Sequence, residues 1–362
     1  MKITINDRVL EAAEGQTVLQ IAQANKIVIP VLCHHRALSP SGSCRMCLVE
    51  VEGLRGQLAA CTLQSADGMV VHTETPALLE SRRLLLELLL RNYVESDTAA
   101  DDTHVSELHY WVAHYGVPMP IASKPRYPVD SDPNPFIHVD LNKCILCTRC
   151  VRACAEIQGR FVWGVGFRGD QAKIVAGADT TMLEARCESC GACVAVCPTG
   201  ALADRMSMGK GTADKVVATT CTYCGVGCRL NLIVKGNRII RVTSNPDAPV
   251  NGIALCVKGR YGYDFVHHPE RLKAPRARRY LLEGRAKPKP SVADPQWDWI
   301  DVGWDTALNL AARRLREARD TFGADSVGVL ASAKCLNEEN YLMNKFARQA
   351  IGTNGIDHCA RL

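Results

Sequence analysis

The chain opens on an alternation of apolar and polar residues. In KITIN, Ile3 and Ile5 fall on one face, the period of a half-buried strand. Thr17 and Gln20 stand at capping-box spacing ahead of VLQIAQAN, which predicts a helix start. CLVEVEG and MVVHT read as further strands, so residues 1–75 alternate short strands with one helix. PALLESRRLLLELLLRN, residues 76–92, carries Pro in its first turn and predicts a longer helix. Six prolines in residues 117–135 then break any regular pattern and predict an extended connector at a domain boundary. Beyond a loop at 283–296, DTALNLAARRLREARDTFG places Leu308, Ala311, Ala312, Leu315, Ala318 and Phe322 on one helical face, and Gly323 stops it. SVGVLAS predicts a buried strand, NEENYLMNKFARQAIG a second helix and GIDH the next strand, the alternation of an α/β layer.

Composition changes this picture at one point. The chain has 362 residues and 18 cysteines, 16 of which fall into sets built around C-x2-C pairs. Cysteines three apart are better placed to share a metal than to form a disulfide framework. The amino terminus has no apolar signal core and no twin arginine, and the most apolar run, LLLELLL at 84–90, is short and contains Glu87. No membrane insertion and a reducing cytoplasm are therefore expected. The formal charge of +5 counts thiols as neutral. Four oxidised four-thiolate clusters at roughly −2 each would bring it to about −3, so the basic balance gives no reason to expect nucleic acid.

The first cysteine set is Cys33, Cys44, Cys47 and Cys61, with a single C-x2-C in SGSCRMC. Four soft ligands in a small strand-and-helix domain suit a [2Fe–2S] cluster, and the glycine and serines let backbone N–H groups approach its sulfides. Zinc is the alternative, although zinc ribbons commonly pair two such knuckles. The second set is a repeat, CILCTRCVRAC and CESCGACVAVCP, both C-x2-C-x2-C-x3-C. This is the spacing of bacterial two-cluster ferredoxins, in which the fourth cysteine of each run ligates the other cluster. The expected partition is Cys144, Cys147, Cys150 and Cys197 on one [4Fe–4S] cluster, and Cys187, Cys190, Cys193 and Cys154 on the other. Pro198 follows Cys197 as usual, but Ala155 follows Cys154. The third set is Cys221, Cys224, Cys228 and Cys256, with Gly225 and Gly227 free to wrap a [4Fe–4S] cluster; on spacing alone zinc is again the alternative. Cys335 and Cys359 read as buried small hydrophobes, and His34–His35 and His267–His268 as structural or solvated pairs.

In this order the sets resemble the catalytic alpha subunit of cytoplasmic molybdenum- or tungsten-dependent formate dehydrogenases, in the bis-molybdopterin oxidoreductase family. The resemblance covers the whole chain and is most specific in VVATTCTYCGVGCRLNL, GIALCVKGRYGYDF, SAKCLNEENYLMNKFARQAIG and TNGIDHCARL. It implies an α+β multidomain fold: a β-grasp [2Fe–2S] ferredoxin domain at 1–78, a helical connector at 79–120, a two-cluster bacterial ferredoxin domain at 136–208, a molybdopterin oxidoreductase [4Fe–4S] domain at 214–272, and the beginning of the α/β pterin domain at 273–362. It also implies one [2Fe–2S] and three [4Fe–4S] clusters, with a Mo- or W-bis-molybdopterin guanine dinucleotide in the whole enzyme. Lys258 would lie between the third cubane and a pterin as a fixed cation on the electron path. In the family the helix at 76–92 leads into a site of one histidine and three cysteines. Here Tyr93, Asp97, Ala100 and Ser106 stand at those four positions, so that cluster is expected to be lost.

The implied activity is oxidation of formate to CO2 or the reverse. Electrons would pass through the cubanes and the [2Fe–2S] cluster to a flavin subunit reducing NAD(P), or to a hydrogenase. The large iron–sulfur subunit of a complex I-like NADH dehydrogenase and a non-catalytic electron-transfer protein are the rival readings. In the resembling enzymes a cysteine or selenocysteine metal ligand follows the CARL stretch. A chain ending at Leu362 therefore raises the expectation of a selenocysteine codon read as termination.

Overall fold

Strand β1 (Lys2–Ile5) turns back on β2 (Arg8–Glu11) through Asn6 and Asp7, both at positive φ. Two left-handed residues give the hairpin a twist that matches its strands. The computed structural model describes residues 1–95, 106–120, 124–289 and 294–359. They divide into two units, Met1–Thr219 with Leu230–Tyr261, and Thr220–Arg229 with Gly262–Leu362.

In the first unit, helix α1 (Val18–Ala24) begins at the Thr17–Gln20 capping box. Three more strands follow: β3 (Leu48–Val51), β4 (Leu58–Ala59) and β5 (Val70–His72). The sheet order is β2-β1-β5-β3-β4, with β1 and β5 parallel. Val18, Leu19 and Ile21 of α1 bury against Ile3, Ile5, Val49 and Val71. Removing that apolar surface from water is what holds the helix in the grasp of the sheet. Helix α2 (Pro76–Leu90) starts at Thr75, whose side chain accepts the N–H of Leu78, and α3 (Glu107–Tyr115) starts at Ser106 and ends on left-handed Gly116. Leu86 and Leu90 of α2 pack with Leu108 and Val112 of α3, alongside Leu32, Cys33 and Cys44. The buried Arg82 on α2 ties these elements together, donating to the carbonyl of Leu48 at 2.8 Å and to the hydroxyl of Tyr115 at 3.3 Å.

The repeat region begins with β6 (Ile137–Val139) and short helix α4 (Arg149–Arg152). The hairpin β7 (Trp163–Gly166) and β8 (Lys173–Ala176) follows, then helix α5 (Ala192–Ala195) and β9 (Leu202–Asp204), which pairs antiparallel with β6. β10 (Lys215–Thr220), β11 (Arg229–Lys235) and β12 (Arg238–Ser244) form a three-stranded sheet, and α6 (Val257–Tyr261) ends the unit. The proline-rich connector is anchored: Arg205 bonds the carboxylate of Asp130 and the carbonyl of Asn134.

In the second unit β13 (Arg276–Arg278) leads into α7 (Arg279–Leu282) and pairs with β14 (Trp299–Asp301). Then come α8 (Trp304–Phe322), β15 (Val329–Ala331), α9 (Asn337–Lys345) and β16 (Ile356–His358), with β15 and β16 parallel. The alternation matches the sequence pattern; the burial does not. Leu308 is 61% and Phe322 77% exposed, and Leu330 of the strand expected to be buried is 82% exposed. Cys335 is half-buried and Cys359 exposed, so neither is the buried small hydrophobe expected. Two paired strands present too little surface to cover a long helix. Among the described residues, no helix is long and apolar enough to cross a membrane.

Candidate metal centres

The first cysteine set gathers at the edge of the sheet-and-helix core. All four thiols are buried. The N–H of Cys33 donates to Cys44 Sγ at 3.3 Å, and the N–H of Cys44 donates to Cys33 Sγ at 3.4 Å. The side-chain bond from Cys44 brings the Cys33 thiol down to about 4 against the burial that pushes it up, with help from Ser41 and Ser43. In the same way the bond from Cys47 lowers Cys61, to which the backbone at Gly42 also contributes. Ser41 and Ser43 thus act on Cys33 through their side chains and Gly42 on Cys61 through its backbone.

In the repeat, the same local geometry occurs twice. Leu146 and Thr148 in the first run, and Ser189 and Gly191 in the second, hold left-handed φ values of 53–71°. Each reversal turns a backbone N–H toward sulfur: Leu146 donates to Cys144 Sγ at 3.4 Å and Ser189 to Cys187 Sγ at 3.3 Å. Such consecutive N–H groups form an anion-binding concavity. A pocket is lined by Cys144, Cys147, Cys150 and Cys197, with Leu141 and Ile174 among its apolar walls. Three cysteines of the first run and the last of the second share one space. Burial raises Cys144 and Cys147 to about 12 and raises Cys150 strongly as well. Bare thiolates are therefore disfavoured there, and only compensating positive charge makes four of them compatible with that space.

Cys154, Cys187, Cys190 and Cys193 interact as the other group. Cys193 is raised by burial first and then by Cys190, Cys187 and Cys154, while Trp163 opposes the shift. Cys154 Sγ accepts the N–H of Val162 at 3.3 Å. Both groups suit clusters by donor type, burial and N–H supply. Among the described residues, no three His, Cys, Asp or Glu side chains converge to hold a single metal ion.

The third set is divided: Cys221, Cys224 and Cys228 belong to the second unit and Cys256 to the first. Within the second unit the N–H of Cys221 bonds the carbonyl of Cys228 at 2.8 Å, and Asn337 reaches the carbonyl of Gly225 at 2.8 Å. Within the first, Cys256 is exposed, its sulfur accepts the N–H of Gly259 at 3.4 Å, and Lys258 is exposed on α6.

Two of the four positions of the expected lost cluster have other work. Tyr93 is buried and donates to Glu95 at 2.9 Å, and Ser106 caps α3. Asp97 and Ala100 lie outside the described residues, as do residues 360–362 of the terminal CARL stretch. The residues that spacing did not flag are the arginines Arg149, Arg152 and Arg260, which bond carbonyls at or beside cluster cysteines. Their only signal was position, two within the first cysteine run and one just after Cys256.

Comparison with known proteins follows the same order along the chain. Residues 1–76 match the 2Fe-2S iron-sulfur cluster binding domain, and residues 134–203 the ferredoxin-like domain of NADH-quinone oxidoreductase subunit 3. Residues 214–268 match the molybdopterin oxidoreductase Fe4S4 domain, and residues 271–362 match molybdopterin oxidoreductase. An NADH-quinone oxidoreductase subunit of Rhizobium meliloti is 36% identical over all of this chain and 40% of its own length. A Staphylococcus aureus protein provisionally named a formate dehydrogenase is 26% identical over 99% of this chain and 39% of its own. The chain thus spans about two-fifths of the length of these relatives. A crystal structure of an NAD+-reducing [NiFe]-hydrogenase is similar with a TM-score of 0.50 and 27% identity, over 59% of this chain and 91% of that one. The chain thus carries, in order, segments similar to 2Fe-2S, ferredoxin-like, Fe4S4 and molybdopterin oxidoreductase domains.

Proposed function

We propose that this chain conducts electrons between a pterin-bound metal centre and a partner subunit. One [2Fe–2S] cluster would be held by Cys33, Cys44, Cys47 and Cys61. Three [4Fe–4S] clusters would be held by Cys144, Cys147, Cys150 and Cys197; by Cys154, Cys187, Cys190 and Cys193; and by Cys221, Cys224, Cys228 and Cys256. The carrying observation is the cavity shared by Cys144, Cys147, Cys150 and Cys197, the crossed set that two-cluster spacing demands. Bound clusters supply one-electron redox chemistry. The chain's own contribution is to exclude water and to aim N–H groups at sulfur, which stabilises the more negative reduced state. Lys258 adds a fixed cation on the pterin side.

The substrate assigned is formate, oxidised to CO2 with release of two electrons and a proton, and the acceptor an NAD(P)-reducing or hydrogenase partner. The provisionally named formate dehydrogenase relative and the hydrogenase likeness support this reading. The higher identity of the quinone oxidoreductase relative supports a second, in which NADH is the electron source. Anaerobic reconstitution followed by iron analysis tests the cluster assignment: about 14 irons per chain are expected, and about 18 would mean that the lost site is filled. Cys197→Ser should remove a cubane signal together with close to four of those irons. Formate-dependent against NADH-dependent cluster reduction, with pterin and partner subunits present, separates the two activities.

A further inference from the structure

Arginines span the gaps between neighbouring cysteine sets. Arg152, on α4, donates through the same Nη2 to the carbonyl of Cys33 at 2.6 Å and to the carbonyl of Cys147 at 3.2 Å. Its Nη1 bonds the carbonyl of Ser39. One guanidinium nitrogen therefore joins a cysteine of the first set to a cysteine of the second. Arg149, one turn earlier and 1% exposed, braces the same junction, bonding the carbonyls of His34 at 2.6 Å and Val196 at 3.3 Å while Glu107 holds it bidentately.

The other end of the two-cluster region holds a second arginine, whose side chain reaches one set and whose helical backbone N–H reaches another. The buried Arg260 donates from Nε to the carbonyl of Cys190 at 2.8 Å. Its own N–H bonds the carbonyl of Cys256 at 3.1 Å. The second repeat makes room for it. A Cβ on Gly191 would overlap Arg260 Cδ and Tyr261 Oη, whereas the equivalent left-handed position of the first repeat carries Thr148. Burying a guanidinium is costly, and backbone carbonyls compensate it without cancelling its charge.

We propose that Arg152 and Arg260 are the coupling residues of the two inter-cluster junctions, Arg152 linking Cys33 to Cys147 and Arg260 linking Cys190 to Cys256. The proposal rests on the cluster assignment above. One electron leaves one cluster and arrives on its neighbour, with no proton and no bond made or broken; the arginine fixes the separation of the two ligand backbones and supplies a hydrogen-bonded path between them.

The test uses the whole chain reconstituted anaerobically, with Arg152→Gln, Arg152→Lys and Arg260→Gln. Iron per chain is measured first, and then the rate at which an electron injected by a photoreductant redistributes between clusters, read by time-resolved absorbance and freeze-quench EPR. Wild-type iron is expected in all variants. Redistribution across the matching junction should slow by about tenfold in the Gln variants, the scale of one lost charge-assisted hydrogen bond. Arg152→Lys should recover part of that loss. A wild-type rate at full iron overturns the proposal. Loss of iron in the Gln variants also overturns it, because the arginines would then serve assembly. A wild-type chain that takes up no clusters would instead strike the cluster assignment, and this is visible before any variant is made.

Discussion

Ser106 Oγ donates to the carbonyl of Pro198 at 3.2 Å and at the same time accepts the N–H of His109 at 3.3 Å. The hydroxyl at an expected lost ligand position thus both caps α3 and fastens it beside Cys197. Ser106→Ala should lower stability by about 1 kcal/mol, the usual worth of a cap. Thermal unfolding of the cluster-loaded chain measures this, with iron content unchanged. An unaltered melting temperature would show that the cap contributes nothing.

Gly191 and Thr148 occupy equivalent left-handed positions but differ in surroundings. Gly191→Ala adds left-handed strain and an overlap with Arg260, so a loss of about 2 kcal/mol is expected. Thr148→Gly removes the strain of a side chain at positive φ and should change stability by less than about 1 kcal/mol. Denaturant unfolding of the two variants side by side checks the contrast.

Asp130 receives Arg205 through both carboxylate oxygens and lies 3.1 Å from His138 Nδ1. Burial would raise its pKa, but the hydrogen bond from Arg205 and the charges of His138 and Arg205 outweigh it and leave it lowered. The unfolded chain then takes up this proton before the folded one does. The contribution is complete above the ordinary aspartate pKa of about 3.9 and is lost as pH falls through the lower folded value. Melting temperature should fall on acidification below about pH 4, and less steeply in Asp130→Asn.

Lys258 stands exposed two residues after Cys256. Lys258→Met keeps the length and removes the charge, so on the proposed formate reading cluster reduction by formate in the pterin-loaded enzyme should slow by about tenfold with formate affinity little changed. Stopped-flow reduction kinetics at saturating formate would return Lys258 to an ordinary surface lysine if the rate held.

Local signals were legible wherever neighbours in sequence settle the outcome. The Thr17–Gln20 box, the proline start of α2 and the β1 alternation all depend on residues within one turn or strand, and all formed as read. The shared space of Cys144, Cys147, Cys150 and Cys197 was legible because the repeat carries its own geometry. Burial in α8 was not, since an apolar face is hidden only if something covers it, and Leu308 and Phe322 remain open. The arginines were hidden for a related reason. Arg152 is defined by the carbonyls of Ser39 and Cys33, more than a hundred residues away in sequence, and a carbonyl leaves no mark on residue type.

The crossing of the repeat has a consequence for how the protein is made. Cys144, Cys147 and Cys150 leave the ribosome well before Cys197, and at about 5–20 residues per second the wait lasts several seconds. During that interval three thiols of the cavity are present and its fourth wall does not exist. A cubane delivered then would have an open corner, exposed to water and oxygen. The other group is complete only once Cys193 joins Cys154, so neither half can be finished while the other is still being synthesised. On the proposed assignment, cluster delivery to this region would wait for both halves, and a nascent chain stalled between the two runs would be a trap for half-ligated iron.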